Sequence, residues 1–182
     1  MKEKETSRLS VFLVVLAVCL VYALGGGIRS MEDLAAVFVL GVSRCVIGSA
    51  AVSKPEFVKE AVEVYGEKIA VGIDAMDGIV KTDGWIEDSG LKDLDFAKSM
   101  EALGVQTIIY TDIATDGALS GPNLIRLGEL RKAVACQITA SGGVSCNADI
   151  TALKAAGMDG TIIGKAYYAG TIDLGRAVQE AK

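Results

Sequence analysis

A long segment of this chain occurs twice, without a gap in either copy. Residues 26–62 correspond to residues 142–178 at a constant offset of 116 positions, and ten of the 37 pairs are identical. The first members of these identical pairs are Gly26, Gly27, Asp33, Ala36, Gly41, Ile47, Gly48, Ala50, Ala61 and Val62. Each copy has the pattern of a strand, a Gly-Gly turn, a helix, a second strand, a glycine turn and a second helix. The two copies together, with two βα units each, describe half of a parallel barrel with two similar anion sites on one face.

Strand and helix patterns alternate from residue 19 to the end, which indicates six βα units in a parallel sheet. Strands are predicted at 19–24, 44–48, 69–73, 107–110, 136–140 and 160–163. Helices are predicted from Ser30 to about Leu40, after a cap at Ser53–Glu56, at 93–103, from about Asn123, at 147–156 and at 172–180. A closed (β/α)8 barrel needs eight units and usually about 250 residues. We therefore predict an α/β fold of the (β/α)8 TIM-barrel class, truncated to about six units over residues 19–182. The two missing units are the first two, on the N-terminal side.

The beginning of the chain differs in character from the rest. Met1–Leu9 is polar, whereas Val11–Leu24 is an unbroken apolar run. Such a run is short for a membrane span but suits the apolar region of an export signal. Removal of a signal here would, however, also remove the strand that the Gly25–Gly27 turn requires. We therefore favour a cytoplasmic protein with a non-family apolar leader at residues 1–18, and keep export or membrane anchoring through residues 11–24 as the alternative.

Composition excludes several classes of function. The chain has no His, which rules out histidine triads, histidine metal sites and imidazole acid–base chemistry. Its net charge is −5 and it has no basic stripe, so we expect no nucleic-acid binding. The four cysteines, at positions 19, 45, 136 and 146, form no Cys-x-x-Cys pair and are expected to be reduced and buried. A length of 182 residues fits one domain with a substantial core.

The glycine turns of the two copies are the predicted phosphate sites. In parallel barrels the site lies at the C-terminal ends of the strands, where helix N-termini offer free N–H groups to anions. The residues expected to bind phosphate are Gly26, Gly27, Gly48, Ser49, Ser141, Gly142, Gly143 and Gly164, flanked by Arg29 and Lys165. Taken singly, the glycines need only permit tight turns, and the two cations need only be solvated or ion-paired. The matched pairs favour a substrate that carries a phosphate at each end.

Two strand ends carry candidate catalytic groups. Asp74 follows an apolar strand, and enclosure by the barrel rim favours a protonated carboxyl that could act as a general acid; the alternative is a structural turn cap. Thr111 could hydrogen-bond the substrate or simply end its strand. Trp85 could stack on a planar ring or act in packing. For Asp112 and Asp116 a turn or capping role is the default.

Together these residues resemble the family of the histidine-biosynthesis isomerase that rearranges phosphoribosylformimino-aminoimidazole carboxamide ribotide. The resemblance covers roughly residues 19–182 and is carried jointly by several motifs. These are Gly25–Ser30, Val42–Arg44 through Ile47–Ala51, Gly72–Asp74, Gly84-Trp85 with Asp88–Gly90, Tyr110–Ile113 with Asp116-Gly117 and Gly121, Ser141–Val144 and Ile163–Ala166. The sister cyclase of the same pathway, which would require a glutaminase partner, has similar half-barrels. The segments around Gly84-Trp85 and Thr111–Ile113 are more similar to the isomerase.

The resemblance implies a (β/α)8 barrel and an Amadori rearrangement of an aminoaldose to an aminoketose. It implies a bisphosphorylated ribotide substrate and no metal or organic cofactor. Asp74 matches the family's proton donor, Thr111 matches an assisting threonine, and Trp85 matches a loop residue that stacks on the substrate. Some relatives also isomerise the analogous tryptophan-pathway ribotide, and the sequence leaves this open.

One departure from the family bears on activity. The family's base is an aspartate at the end of strand one, and strands one and two have no counterpart in the pattern of this chain. We therefore expect impaired turnover, and a non-catalytic phosphate-binding barrel fragment is the alternative function. An open barrel also exposes strand edges, so self-association through those edges is favoured over a closed six-strand ring.

Overall fold

The computed structural model describes residues 23–181, which form one curled sheet with helices on its outer face. The strands are β1 (Ala23–Gly25), β2 (Arg44–Ile47), β3 (Ile69–Met76), β4 (Ile79–Thr82), β5 (Glu87–Lys92), β6 (Thr107–Asp112), β7 (Gln137–Ser141) and β8 (Gly160–Thr161). The helices are α1 (Met31–Val39), α2 (Ser49–Ser53), α3 (Pro55–Tyr65), α4 (Asp93–Ala102), α5 (Leu124–Ala133), α6 (Asn147–Ala155), α7 (Lys165–Tyr168) and α8 (Leu174–Ala181). A 3-10 turn at Gly66–Lys68 precedes β3.

Six of the strands run parallel in the order β1-β2-β3-β6-β7-β8. The remaining two, β4 and β5, form an antiparallel hairpin that continues from the C-terminal end of β3. The order follows the chain, as expected when each strand is returned to the same edge by a helix. The predicted fold class is confirmed: the described residues form an open portion of a (β/α)8 barrel.

The two faces of the sheet differ in burial. In β3, Val71 and Ile73 are fully buried in the core, whereas Gly72 and Asp74, which alternate with them, are only partly buried. Because successive side chains of a strand point to opposite faces, Gly72 and Asp74 lie on the inner face of the curl. The core therefore sits between sheet and helices, and the inner face is left to the candidate site.

The repeat seen in the sequence is also a repeat of conformation. Helix α6 begins and ends at the positions predicted by applying the 116-residue offset to α1. Gly26 and Gly142 have φ values of 94° and 98°, and Gly27 and Gly143 have φ values of 76° and 83°. Since only glycine adopts this region without strain, the paired Gly-Gly turns are required by the backbone itself.

The second turn of each copy repeats in the same way. Gly48 precedes α2 with φ −98° and ψ −114°, and Gly164 precedes α7 with φ −103° and ψ −101°. The side chains repeat as well, since Asp33 accepts a backbone hydrogen bond from Arg29 at 2.9 Å and Asp149 accepts one from Ser145 at 2.7 Å. Two copies that differ in most side chains therefore present almost identical turns at one face.

The two copies differ in the neighbours that they have. A Cβ added to Gly143 would lie 2.2 Å from the carbonyl oxygen of Gly121, whereas one added to Gly27 would meet no atom of residues 23–181 within 4 Å. Conversely, Val58 of α3 is fully buried, whereas its repeat partner Leu174 of α8 is 39% exposed. Within residues 23–181, copy one lacks a preceding unit and copy two lacks a following one, which leaves β1 and β8 as the sheet's ends.

Several predicted elements need correction. Ser53 does not cap α3: it is the last residue of α2, and Lys54 occupies the cap position before Pro55. The segment between the strand predicted at 69–73 and the helix predicted at 93–103, for which no element is predicted, contains the hairpin β4–β5; the acidic, glycine-containing sequence of β5 is not typical of a strand. Strand β3 continues to Met76 because β4 pairs with its end, whereas β8 is shorter than predicted.

Two short helices and the first strand remain to be compared with the predicted elements. Short helices α2 and α7, which follow the glycine turns, were not predicted, because neither is long enough to show a periodic pattern. The described part of the first predicted strand, Ala23–Gly25, is a strand. Residues 19–22, the leader at 1–18 and the boundary between leader and barrel lie outside the described residues.

Candidate active site

Asp74, Thr111 and Ser141 lie side by side at the C-terminal end of three adjacent strands. The register pairs Asp74 with Thr111 between β3 and β6, and Thr111 with Ser141 between β6 and β7. Residues in register on parallel strands point to the same face, here the inner face of the curl. The structure thus brings together the two predicted catalytic residues and one predicted phosphate ligand in a single row.

The hairpin β4–β5 carries Trp85 to this row. The indole Nε1 of Trp85 donates a hydrogen bond to Oδ2 of Asp74 at 2.8 Å. Trp85 has a φ of 73°, a left-handed conformation that is strained for a residue with a side chain, and its side chain remains 44% exposed. The indole therefore fixes the carboxylate with one edge and leaves ring surface open to solvent.

Copy one lines a cavity of about 380 Å³ beside Asp74. Its walls include the predicted residues Gly26, Gly27, Arg29, Gly48, Ser49, Asp74 and Trp85. The hydroxyl of Ser49 accepts a hydrogen bond from the backbone N–H of Asp83 at 3.0 Å, which ties the hairpin to the N-terminus of α2. Every site residue predicted in the first half of the chain therefore borders one cavity.

Copy two lines a smaller cavity of about 60 Å³. Its walls include Ser141, Gly142, Gly143, Gly164 and Lys165, the predicted residues of the second half. Ile162 borders both this cavity and the larger one, so the two are neighbours. The second cavity is smaller because the loop after β6 covers it, as the hydrogen bond from Gly121 N–H to the Gly143 carbonyl shows.

The predicted cations have different surroundings. Lys165 donates from Nζ to the Gly117 carbonyl at 2.6 Å, so it links α7 to the loop after β6 across the second cavity. Arg29 is exposed at the rim of the first cavity, and its carbonyl accepts from Lys54 Nζ at 3.4 Å. Lys81 also lines that cavity, paired with Asp88 at 3.0 Å. The first cavity thus has several positive groups at its edge.

The acidic side chains next to these turns accept hydrogen bonds from backbone N–H groups. The Asp33 carboxylate accepts from the Arg29 backbone N–H at 2.9 Å, and this hydrogen bond, followed by one from the Ser30 side chain, lowers the pKa of the Asp33 carboxyl. Asp112 accepts from the Ala114 N–H at 3.0 Å and from the Asn123 side chain at 2.8 Å, which is the turn role predicted for it. Across residues 23–181 no three acidic or cysteine side chains are grouped to hold a metal ion.

The chain matches the family model described as "Histidine biosynthesis protein" over residues 2–173. This chain belongs to that histidine-biosynthesis family.

Curated relatives of this family member share a name. The chain is 43% identical over 172 residues to "1-(5-phosphoribosyl)-5-((5-phosphoribosylamino)methylideneamino) imidazole-4-carboxamide isomerase" of Alkaliphilus metalliredigens. This alignment covers 94% of the chain and 73% of the relative. Proteins of the same name from Listeria innocua and Listeria welshimeri are 50% and 52% identical to the chain. These two alignments cover 85% and 82% of the chain, but 65% and 62% of the relatives. The chain thus spans about two thirds of the length of such relatives, whose name contains two phosphoribosyl groups.

Some site residues of this histidine-biosynthesis family member were not predicted from sequence. Asp83 and Lys81 lie in the hairpin, and without recognition of β4 and β5 nothing placed them near the glycine turns. Lys54 was interpreted only as part of a helix cap. The signal that could have found them is the Asp77-Gly78 turn flanked by alternating residues, which is typical of a hairpin.

The described part of the chain offers no helix that is both long and apolar enough to cross a membrane. Residues 11–24, the export signal or anchor of the alternative interpretation, lie mostly outside that part.

Proposed function

We propose that this chain carries the site of an aldose–ketose isomerase that performs the Amadori rearrangement of a bisphosphorylated ribotide in histidine biosynthesis. One observation supports this most directly: two glycine turns of matching conformation lie at the same face of the sheet, on either side of the row Asp74–Thr111–Ser141. Helix N-termini behind such turns attract phosphate oxygens. A ligand with one phosphate in each turn would span the row.

Each residue has a proposed part in the reaction. The carboxyl of Asp74 donates a proton to the ring oxygen as the sugar opens, and the indole N–H of Trp85 holds that carboxyl in place. The Thr111 hydroxyl, one strand away, bonds the substrate, and the open face of Trp85 stacks on its planar part. A base then removes the proton from C2 of the opened, protonated imine to give an enolamine, and protonation of C1 with loss of the 2-hydroxyl proton gives the aminoketose. The resemblance assigns that abstraction to a carboxylate on the family's first strand, and no metal or organic cofactor is required.

The first cavity holds one phosphate against Gly26, Gly27, Gly48 and Ser49, with Arg29 at its edge. The second holds the other against Ser141, Gly142, Gly143 and Gly164. Lys165 contributes its charge at the mouth of the second cavity, where it already bonds the Gly117 carbonyl. The names of the relatives, with two phosphoribosyl groups, support this arrangement.

A second candidate function is a phosphate-binding barrel portion without turnover. It is favoured by the space beside Gly26 and Gly27, which no described residue fills, whereas copy two has a covering loop at the equivalent place. A first cavity that is open on this side would still bind phosphate but would exclude water poorly during catalysis.

An assay of the purified 182-residue chain with the ribotide separates the two candidates. Turnover that is lost in Asp74→Asn supports the isomerase. Retained binding of the bisphosphate without turnover supports the second candidate, and failure to bind it would contradict both.

We further propose that the chain acts in the cytoplasm and associates with itself through the open ends of its sheet. The end strands β1 and β8 have unpaired edges within the described residues, and Leu174 and Val178 of the adjoining helix are exposed. Unpaired edges and exposed apolar side chains favour association. Sedimentation velocity over a range of concentrations tests this, and a monomer at all concentrations would contradict it.

A further inference from the structure

A buried charge cluster lies behind the hairpin, away from the two cavities. It consists of Asp93, the first residue of α4, with Tyr110 of β6 and Arg126 of α5. The Asp93 side chain is 0% exposed; its Oδ2 accepts from the Tyr110 hydroxyl at 2.6 Å and from Arg126 Nε at 2.9 Å, and Arg126 Nη2 donates to its Oδ1. Arg126 also pairs with Glu129 at 2.5 Å. None of the proposed steps uses this cluster.

A carboxylate without solvent contact needs such partners, because burial of an unpaired charge is very unfavourable. Burial, together with the neighbouring Asp93 carboxylate, raises the pKa of the Tyr110 hydroxyl, and the hydrogen bond to Asp93 raises the pKa of Arg126. Tyr110 therefore keeps its proton and Arg126 its positive charge, and the hydrogen bonds of both to Asp93 make the cluster a fixed joint between α4, α5 and β6.

The joint contacts the base of the hairpin, both before its first strand and after its second. Asp93 directly follows β5, and its backbone N–H donates to the carbonyl of Gly78, the residue before β4, at 3.0 Å. Gly78 has a φ of 78°, and a Cβ added there would lie 2.9 Å from Arg126 Nη2. The guanidinium of Arg126 thus lies against the turn that opens the hairpin and also binds the residue that closes it.

The other end of the hairpin reaches the site. Trp85 bonds Asp74 at 2.8 Å, and the Asp83 N–H bonds Ser49 at 3.0 Å. Strand β5 is mostly exposed and Val80 is the one buried residue of β4, so the two short strands have few packing contacts besides those at their base. The position of Trp85 consequently depends on how firmly the base of the hairpin is held.

We propose that Arg126 is a positioning residue: by holding Gly78 and Asp93 at the base of the hairpin, it sets where Trp85 meets Asp74. Its planar fork suits this task, because one guanidinium can bind a carboxylate through two nitrogens and still lie against a turn. The expected effect of Arg126 on turnover rests on the proposed function, whereas its expected effect on the position of Trp85 does not.

Trp85 is the only tryptophan among the 182 residues, so its fluorescence reports on this position directly. The test compares emission maximum and acrylamide quenching in the unaltered chain, Arg126→Lys and Arg126→Met, each kept well below its thermal midpoint. We expect a red shift and a higher quenching constant in Arg126→Met, by about twofold, and an intermediate value in Arg126→Lys, whose single amine cannot reach both partners.

Arg131→Met is the matched control. Arg131 also forms an ion pair, with Asp159 at 3.1 Å, and bonds the carbonyls of Val134 and Cys136, but at the opposite end of the sheet. We expect this variant to lower the thermal midpoint without moving the fluorescence of Trp85. A shift of similar size in Arg131→Met would mean that any loss of stability loosens the hairpin, which would overturn the proposal.

A folded Arg126→Met with the emission and quenching of the unaltered chain would overturn it too. Should Arg126→Met fail to fold, Arg126→Lys decides, and an unchanged quenching constant there contradicts the proposal. In the ribotide assay we expect kcat to fall about tenfold in Arg126→Met with KM within about twofold, because the glycine turns are untouched. If the fluorescence of Trp85 changes in Arg126→Met as expected but the unaltered chain shows no turnover, the result contradicts the proposed function and leaves the positioning role of Arg126 supported.

Discussion

Trp85 and Asp74 are joined by a hydrogen bond of 2.8 Å between the indole Nε1 and the carboxylate Oδ2. Trp85 adopts a left-handed backbone conformation in making this contact. Strain of this kind, about 1 to 3 kcal/mol per residue, persists only where the surrounding contacts determine the conformation. Here those contacts are the bond to Asp74 and the fixed base of the hairpin.

Asp74→Asn should lower turnover by about 10² to 10⁴-fold, because an amide cannot donate the proton that opens the ring. Binding of the bisphosphate, measured by calorimetry, should change little, since the glycine turns are unaltered. Asp95→Asn, an exposed residue on α4, is the control and should leave both quantities unchanged. A similar loss of turnover in both variants would contradict the assignment.

Trp85→Phe should lower kcat several-fold with little change in KM, because it removes the N–H that holds Asp74 but keeps an aromatic face. Trp85→Ala should in addition raise KM, as stacking on the substrate is lost. Steady-state kinetics on the two variants separate these effects. Equal KM values in both variants would show that the ring does not contact the substrate.

Gly143→Ala and Gly27→Ala should differ in stability although they occupy equivalent positions. Both place a Cβ on a left-handed backbone, which costs about 1 to 2 kcal/mol. At Gly143 the Cβ would also lie 2.2 Å from the Gly121 carbonyl oxygen, whereas at Gly27 it meets no described residue within 4 Å. Urea unfolding should therefore show a loss of about 3 kcal/mol or more for Gly143→Ala. Equal losses would mean that the loop after β6 moves away freely.

Alkaline pH should destabilise the fold in part through Cys136. Burial, with the neighbouring Glu101 carboxylate, raises the pKa of its thiol to about 11 from an ordinary value of 9.0. The folded chain then retains a proton that the unfolded chain loses, so this contribution is complete below pH 9 and is lost as the pH rises towards 11. Cys136→Ala should flatten the fall in unfolding free energy across this interval. An unchanged slope would contradict the prediction.

Val178→Lys should weaken self-association more than Val64→Lys does. The two valines are similarly exposed, at 58% and 60%. The repeat partner of Val178 is Val62, whose Cγ1 lies 3.2 Å from a Cβ position at Gly104 of the following unit. Val178 therefore lies where a following unit would pack, whereas Val64 does not. Sedimentation velocity of both variants at one concentration gives the comparison.

The sequence by itself determined the repeated βα pattern, the strand ends that carry Asp74 and Thr111, and the glycine turns. These follow from local rules: left-handed turns require glycine, buried parallel strands are continuously apolar, and the register of parallel strands aligns their C-terminal ends. The match between the two copies made the pairing of the turns visible without any structure, and Gly26 and Gly142 indeed share their backbone angles.

Only the tertiary structure decided which side chains close the site. Strand β5 is polar and mostly exposed, so it lacks the apolar alternation that would mark the second strand of the hairpin, and the contacts of the hairpin depend on distant partners. Trp85 reaches Asp74, and Asp83 reaches Ser49, because Asp93, whose N–H bonds the Gly78 carbonyl, is held by Arg126, a residue 33 positions further along the chain. Long-range ion pairs of this kind leave no periodic signal in a sequence, because their energy depends on burial and geometry that exist only in the folded chain.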